Sequence, residues 1–291
     1  PSGKYIITDV IKINVNDTKS LTIKGETRSQ LKAEIKATTF TTAFQILSFY
    51  WAPKGKLVLV NLNITGNNVP HSPSHPYYDK PQFTTGIEVL NLKNVLISNN
   101  VVRNFYGNGI FAAYSNISKN LKNRYDNVEI SGNSVLNCWG LHPSKGKNDI
   151  FDDYGDGIYI NSAAKGKIIN NKIINDLNTT KQLGRAGIVL EFNDESCEIV
   201  KNFVSGYDRN IHLEGDIGNN SIINNTLEGS DFGILIYCVP MSNVKGKPIR
   251  IESNRISNKN FPNNLKLKKI RNSEERCLLS FFAKDGCREN S

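Results

Sequence analysis

Asparagine recurs along this chain in one setting. Asn67, Asn100, Asn133, Asn171, Asn202, Asn225 and Asn254 each follow an isoleucine by three residues and precede an aliphatic residue by two. Ile64, Ile97, Ile130, Ile168, Ile199, Ile222 and Ile251 supply the first contact of the pattern. Val69, Val102, Val135, Ile173, Val204, Leu227 and Ile256 supply the second. The intervals are 33, 33, 38, 31, 23 and 29 residues. A period of that size marks a repeat protein, and its variation places loops of unequal length between constant cores.

A second register lies between the first. Gly86-Ile87, Gly109-Ile110, Gly157-Ile158, Gly187-Ile188, Asn210-Ile211 and Gly233-Ile234 each open a short alternating segment. Alternation with a period of two is the signature of a strand with one buried face. The shortest repeat, Asn202 to Asn225, is 23 residues. It has no room for a packing helix, which argues against a βαβ sheet. Short strands at this spacing predict an all-β coil of parallel strands, a right-handed parallel β-helix of about eight coils. Equivalent residues then stack at about 4.8 Å. Stacked asparagines can bond to one another and to turn backbone, so they read as a structural ladder.

The chain resembles the pectate-lyase-like superfamily of right-handed parallel β-helices. The resemblance rests on Pro1-Ser2-Gly3-Lys4-Tyr5 before Ile6-Ile7, on Ile23-Lys24-Gly25-Glu26 as a first full turn, and on the repeat from Pro1 to Asn258. It does not reach a subfamily. The Asn-Thr-Asp, Asp-Asp and Gly-His-Gly set of polygalacturonases is not matched, nor is the Asp-Pro-His-Glu motif of alginate epimerases. The resemblance implies an extracellular or cell-surface protein that handles polysaccharide. Its non-catalytic members, adhesins and tailspike components, define the rival expectation of a binding or structural module.

Residues 1–260 read as the β-helix and 261–291 as a cap or tail, with Cys277, Leu278, Phe281 and Phe282 at the spacing of a short capping helix. The net charge of +9 favours an acidic polymer or, equally simply, a lysine-rich exterior. The cations are scattered without interleaved aromatics, so no nucleic-acid partner is expected. No apolar run is long enough for a membrane-spanning helix. Five cysteines show no metal spacing. Cys197 and Cys238 read as small core residues, and Cys277 and Cys287 could pair in a secreted chain. The chain opens without methionine inside what reads as a first coil, so an upstream segment is expected.

Three loops are long. From asparagine to the next Gly-Ile strand the gap reaches 20 residues at Asn67–Ile87, 25 at Asn133–Ile158 and 17 at Asn171–Ile188. Long loops on a rigid scaffold carry function. Here they hold His71, His75, Tyr77, Tyr78, Trp139, His142 and, at their end, Arg185, all candidates for substrate binding. Counting outward from each strand isoleucine gives two exposed columns. One holds Glu88, Phe111, Tyr159, Val189, His212 and Leu235. The other holds Leu90, Ala113, Asn161, Glu191, Glu214 and Tyr237. Glu191 and Glu214 should be neighbours, and either an acid–nucleophile pair or a Ca²⁺ site would follow. Asp152, Asp153 and Asp156 form a second acidic group that could hold Ca²⁺ or act as acid and base.

Two mechanisms remain open. In a lyase, Arg185, Arg209 or Ca²⁺ would neutralise a uronate while His212 or Tyr159 abstracts a proton. In a hydrolase, two of Asp153, Asp156, Glu191 and Glu214 would be acid and base or nucleophile. Tyr237 extends the binding face in both.

Overall fold

The computed structural model describes residues 3–15, 20–25, 34–37, 42–47, 55–67, 84–114, 123–140, 155–180, 183–237 and 248–257, and the backbone of 279–282. Among them the chain is a coil of three parallel sheets holding nine, nine and eight strands. Every pairing joins one coil to the next with equivalent residues in register. One sheet contains the Gly-Ile strands Thr84–Leu90, Gly107–Ala113, Asp156–Ile160, Gly184–Glu191, Tyr207–Glu214 and Phe232–Tyr237. The second contains the strands that lead into the asparagines, such as Asn94–Ser98 and Asn127–Ser131. The third contains those that follow, such as Val101–Arg103 and Ser134–Leu136. Helix is confined to the single turn Leu177–Thr180 among these residues.

The alternation explains the interior. Inward-facing Ile97, Ile130, Ile168, Ile199 and Ile222 stack in one buried column, and Ile87, Ile110, Ile158, Ile188, Ile211 and Ile234 in another. Where the Gly-Ile strands begin, the interior is too narrow for a side chain. A Cβ added at Gly187 would stand 2.1 Å from Val204 Cγ1, and one at Gly109 would stand 2.4 Å from Val135 Cγ1. Cys197, as expected for a small core residue, is a free thiol packed in the same interior, and so is Cys138. Cys238, Cys277 and Cys287 lie outside the described residues.

The asparagine ladder is present, with six members. Each Oδ1 accepts from both the backbone N–H and Nδ2 of the asparagine one coil earlier. For Asn202 these distances to Asn171 are 2.9 and 3.0 Å. Its Nδ2 also donates to Ile168 O at 2.8 Å and to Asn225 Oδ1 at 3.0 Å. The pattern runs from Asn100 to Asn254. Each buried amide is therefore satisfied on both ends, which removes the desolvation penalty that would otherwise attend it.

Asn67 is not the seventh member. Val101 pairs with Asn63, so the position equivalent to Asn100 is Leu62. Asn100 Oδ1 accepts from the Leu62 backbone N–H at 2.9 Å and thereby ends the ladder. Ile64-x-x-Asn67 imitates the pattern one strand late, since Ile64 is the partner of Val102. The residue before each ladder position is left-handed: Asn61, Asn99, Gly132, Asn170, Lys201, Asn224 and Ser253 have φ between 54° and 66°. That series confirms Leu62 as the equivalent position, because Asn61 precedes it. Asparagine and glycine tolerate this conformation best.

The segment expected as a capping helix contains a strand instead. Leu279–Phe282 pairs in parallel with the Gly-Ile strand Phe232–Tyr237. The last strand of a sheet presents unpaired backbone groups, and a further strand satisfies them where a helix could not.

Candidate functional site

The two outward columns of the Gly-Ile sheet align residue by residue. Glu88 pairs with Phe111, Phe111 with Tyr159, Tyr159 with Val189, Val189 with His212, and His212 with Leu235. In the second column Glu191 pairs with Glu214 and Glu214 with Tyr237. A cavity of about 400 Å³ opens over this face. Glu88, Phe111, Tyr159, Arg185 and Glu191 form its wall, and Thr85, Asn108, Gly155 and Asp156 complete it.

Outward does not mean exposed. Val189 is wholly buried, His212 is 2% exposed and Leu235 3%. Ala113, Tyr159, Ala186 and Val189 make a second small apolar cluster, with Leu90 and Phe111 packed against it. The solvent-facing His212 expected from the alternation is thus corrected to a buried one. Arg209 Nη1 lies 3.0 Å from His212 Nδ1. A guanidinium only donates, so Nδ1 accepts and the ring proton sits on Nε2. That nitrogen faces Glu214 Oε2 at 3.2 Å. Burial, helped by Arg209 and Arg185, holds the His212 pKa well below the usual histidine range. His212 is therefore neutral, with its one ring lone pair, on Nδ1, turned to Arg209 and away from the cavity, which leaves it poorly placed as a proton-abstracting base.

Arg185 and Asp156 form a bidentate pair at 2.9 and 2.8 Å. Arg185 Nη2 also reaches Glu191 Oε2 at 3.4 Å. The Asp156 backbone N–H donates to Asn108 Oδ1 at 2.9 Å. Asp156, expected as an acid or base, is thus held by Arg185 and Asn108 at the cavity wall. Arg209 is 3% exposed and ion-pairs with Asp208 at 3.3 Å. Arg209 is buried beside His212, whereas Arg185 lines the cavity with its guanidinium already held by Asp156 and Glu191.

Tyr159 stacks on Phe111 with ring centroids 4.6 Å apart and 12° between planes. The Arg185 guanidinium stands 6.0 Å from the Tyr159 centroid on the other side. Burial first, and then Glu191, raise the Tyr159 phenol above its usual range. Tyr159 stays protonated and donates to Glu191, so it too fails as a base. Trp139, expected to bind substrate, is 1% exposed and bridges Tyr106 in the coil wall. Its ring has no surface for a ligand.

Glu191 and Glu214 remain. Both are partly exposed, at 13% and 24% of their side chains. Burial raises the Glu191 pKa, Arg185 opposes it, and Glu214 and Asp156 add to it. Burial also raises Glu214, against Arg185 and Arg209. Tyr237, one coil on, is 36% exposed and continues the column.

His71, His75, Tyr77, Tyr78, His142, Asp152 and Asp153 lie outside the described residues, and so does the Ca²⁺ site expected at Asp152 and Asp153. Among the described residues no three His, Cys, Asp or Glu side chains converge as a metal site. The Glu191–Glu214 pair is flanked by Arg185 and Arg209, which supply the positive charge that Ca²⁺ was expected to bring. Glu88, Phe111, Asn108 and Thr85 had not been singled out. Glu88 and Phe111 stood in the outward column, and only the cavity distinguishes them from its other members. The first of the three long gaps, measured from Asn67, belongs instead to Leu62–Ile87.

No family model matches the chain, and neither the curated proteins nor the solved structures contain a match. No helix among the described residues is long and apolar enough to cross a membrane.

Proposed function

We propose that this protein is a glycan-cleaving enzyme of the pectate-lyase-like β-helix type, acting outside the cell as a retaining glycoside hydrolase. The observation that supports the reading is the Glu191–Glu214 pair: two partly exposed carboxyls, paired in register on adjacent coils, of which Glu191 lines the cavity. Strand spacing of about 4.8 Å lies close to the ~5–5.5 Å carboxyl separation of retaining enzymes.

Glu191 suits the acid. Its carboxyl is held above the usual range mainly by burial, so it retains a proton where an ordinary glutamate has lost one. It would protonate the glycosidic oxygen as the bond to the anomeric carbon breaks. Glu214, faced by the Nε2–H of His212, would supply the oxygen that bonds to that carbon. Water, deprotonated by Glu191, then displaces Glu214 and restores both groups. Among the described residues the lyase alternative has a poorer base, because the Nδ1 lone pair of His212 is engaged by Arg209 and Tyr159 holds its proton.

The binding-module reading draws on Val189 and Leu235, apolar members of the same outward column. One assay separates the two. A panel of neutral, amino and acidic oligosaccharides is followed by NMR for new reducing ends and their initial anomeric configuration. Hydrolysis with retained configuration is expected, with a loss of about 10³-fold or more in Glu191→Gln and Glu214→Gln. Because Glu191 acts protonated, the rate should fall as pH rises through its raised pKa. Binding with no cleavage favours the module. Full activity in both variants, or unsaturated products, removes the hydrolase.

A further inference from the structure

Charge in the cavity runs against charge on the chain. The whole sequence carries a net +9. Among the described residues the cavity wall presents the carboxyls of Glu88, Asp156 and Glu191 and one cation, Arg185. Arg185 is bonded to Asp156 and Glu191, and with Glu191 protonated as the acid the uncompensated negative charge is that of Glu88. Glu88 stands apart from this group, three strands along the sheet from Glu191, or roughly 14 Å at normal strand spacing. Gln45 Nε2 donates to it at 2.5 Å, and no cation of the described residues pairs with it.

Phe111 lies between Glu88 and Tyr159 in the column. One face of its ring is covered by Tyr159. The other turns toward the coil of Glu88. A carboxylate beside a partly exposed aromatic ring is a site for an ammonium group, since the carboxylate supplies charge and the ring quadrupole attracts the cation. A uronate at the same place would meet like charge. A neutral sugar would donate hydroxyl hydrogen bonds to Glu88 but bring no opposite charge to it.

We infer that the cavity takes a glycan bearing a protonated amine, a polymer of amino-hexose units, with the ammonium held by Glu88 and Phe111 where both line the cavity. The inference rests on the glycan reading of the site and names its substrate class. It also replaces the acidic polymer that the net charge alone favours. Sugar units beyond the ammonium would follow the column toward Glu191 and Glu214.

The test is calorimetric titration of the full chain at mildly acidic pH and physiological salt. The probes are a fully deacetylated glucosamine tetramer, its N-acetylated counterpart, a galacturonate tetramer, and spermidine, which has the charge without the ring. The deacetylated tetramer is expected to bind at least about tenfold more tightly than each of the others. Glu88→Gln should erase that preference while leaving the melting temperature in place. Phe111→Leu should weaken the preference. Tighter binding of galacturonate, equal binding of spermidine, or a preference that survives Glu88→Gln overturns the inference. Cleavage of the acetylated tetramer without preference for the amine overturns this inference but leaves the hydrolase intact. No binding by any sugar overturns both.

Discussion

The asparagine turn and the outer face of the Gly-Ile sheet are equally regular in register, yet they differ in how their polar groups are answered. At the turn, each interior ladder asparagine makes the same bonds to the coils on both sides. On the outer face every column changes character from coil to coil: Glu88, Phe111, Tyr159, Val189, His212, Leu235. Its charges pair unevenly. Asp156 and Arg185 saturate one another, while Glu88, Glu191 and Glu214 retain free carboxylate edge or raised proton affinity. Repetition with closed hydrogen bonding stabilises the coil. Variation on the same lattice leaves chemistry available.

That contrast can be broken most forcefully at the ladder. Asn202→Leu strands the Asn171 backbone N–H and one of the two Nδ2 hydrogens in the interior, the other still bonding Ile130 O. A loss of roughly 2–4 kcal/mol is expected in urea unfolding. A change below about 0.5 kcal/mol would show that the ladder is decorative.

The turn on the other side of the same coils should respond with opposite sign. Asp216 is wholly buried, and burial, against an Asn220 hydrogen bond, lifts its carboxyl from 3.8 to about 6. A carboxyl raised on folding makes the folded state bind more protons than the unfolded one. Stability from this group is therefore fully present below the ordinary value of 3.8 and is lost as pH rises through about 6. Asp216→Asn should raise stability above pH 7 by roughly 2–3 kcal/mol and flatten that slope. An unchanged pH profile of the melting temperature would refute the assignment. His212 acts in the other window: its depressed pKa makes the folded state less stable as pH falls below 6.5.

Smaller effects are expected at the ladder's end and on the rim. Asn254 is part-buried, so Asn254→Ala should cost about 1 kcal/mol, water replacing part of what Asn225 loses. Glu214→Gln should shift stability by no more than about 0.5 kcal/mol, as fits a partly exposed carboxyl. A large loss there would make the Glu191–Glu214 pair a structural feature.

Much of the fold was legible because a parallel coil writes its geometry as repetition. The outward columns were read correctly to the residue, since alternation and register are properties of the backbone. Asn67 misled because Ile64 and Val69 reproduce the spacing one strand late. The asparagine or glycine that often precedes a ladder position was the available signal, but Asn61 also had to be read as preceding a leucine. Burial on the outer face was not legible. Whether His212 sees water depends on Arg209, Glu214 and neighbouring coils together, and alternation says only which way a side chain points. Asp156 looked reactive because its partner, Arg185, lies 29 residues away and meets it only once the coil closes. The strand Leu279–Phe282 was hidden for a similar reason: a sheet edge far upstream recruits it.

The most direct measurement compares turnover per folded molecule in three variants on one cleaved oligosaccharide, at a temperature below all their melting points. Asn202→Leu should keep its kcat/KM near that of the parent despite its lower stability. Glu191→Gln and Glu214→Gln should keep their stability and lose turnover by about 10³-fold. The reverse pattern, with activity following the ladder and indifferent to the two glutamates, would contradict the division between the closed turn and the open face.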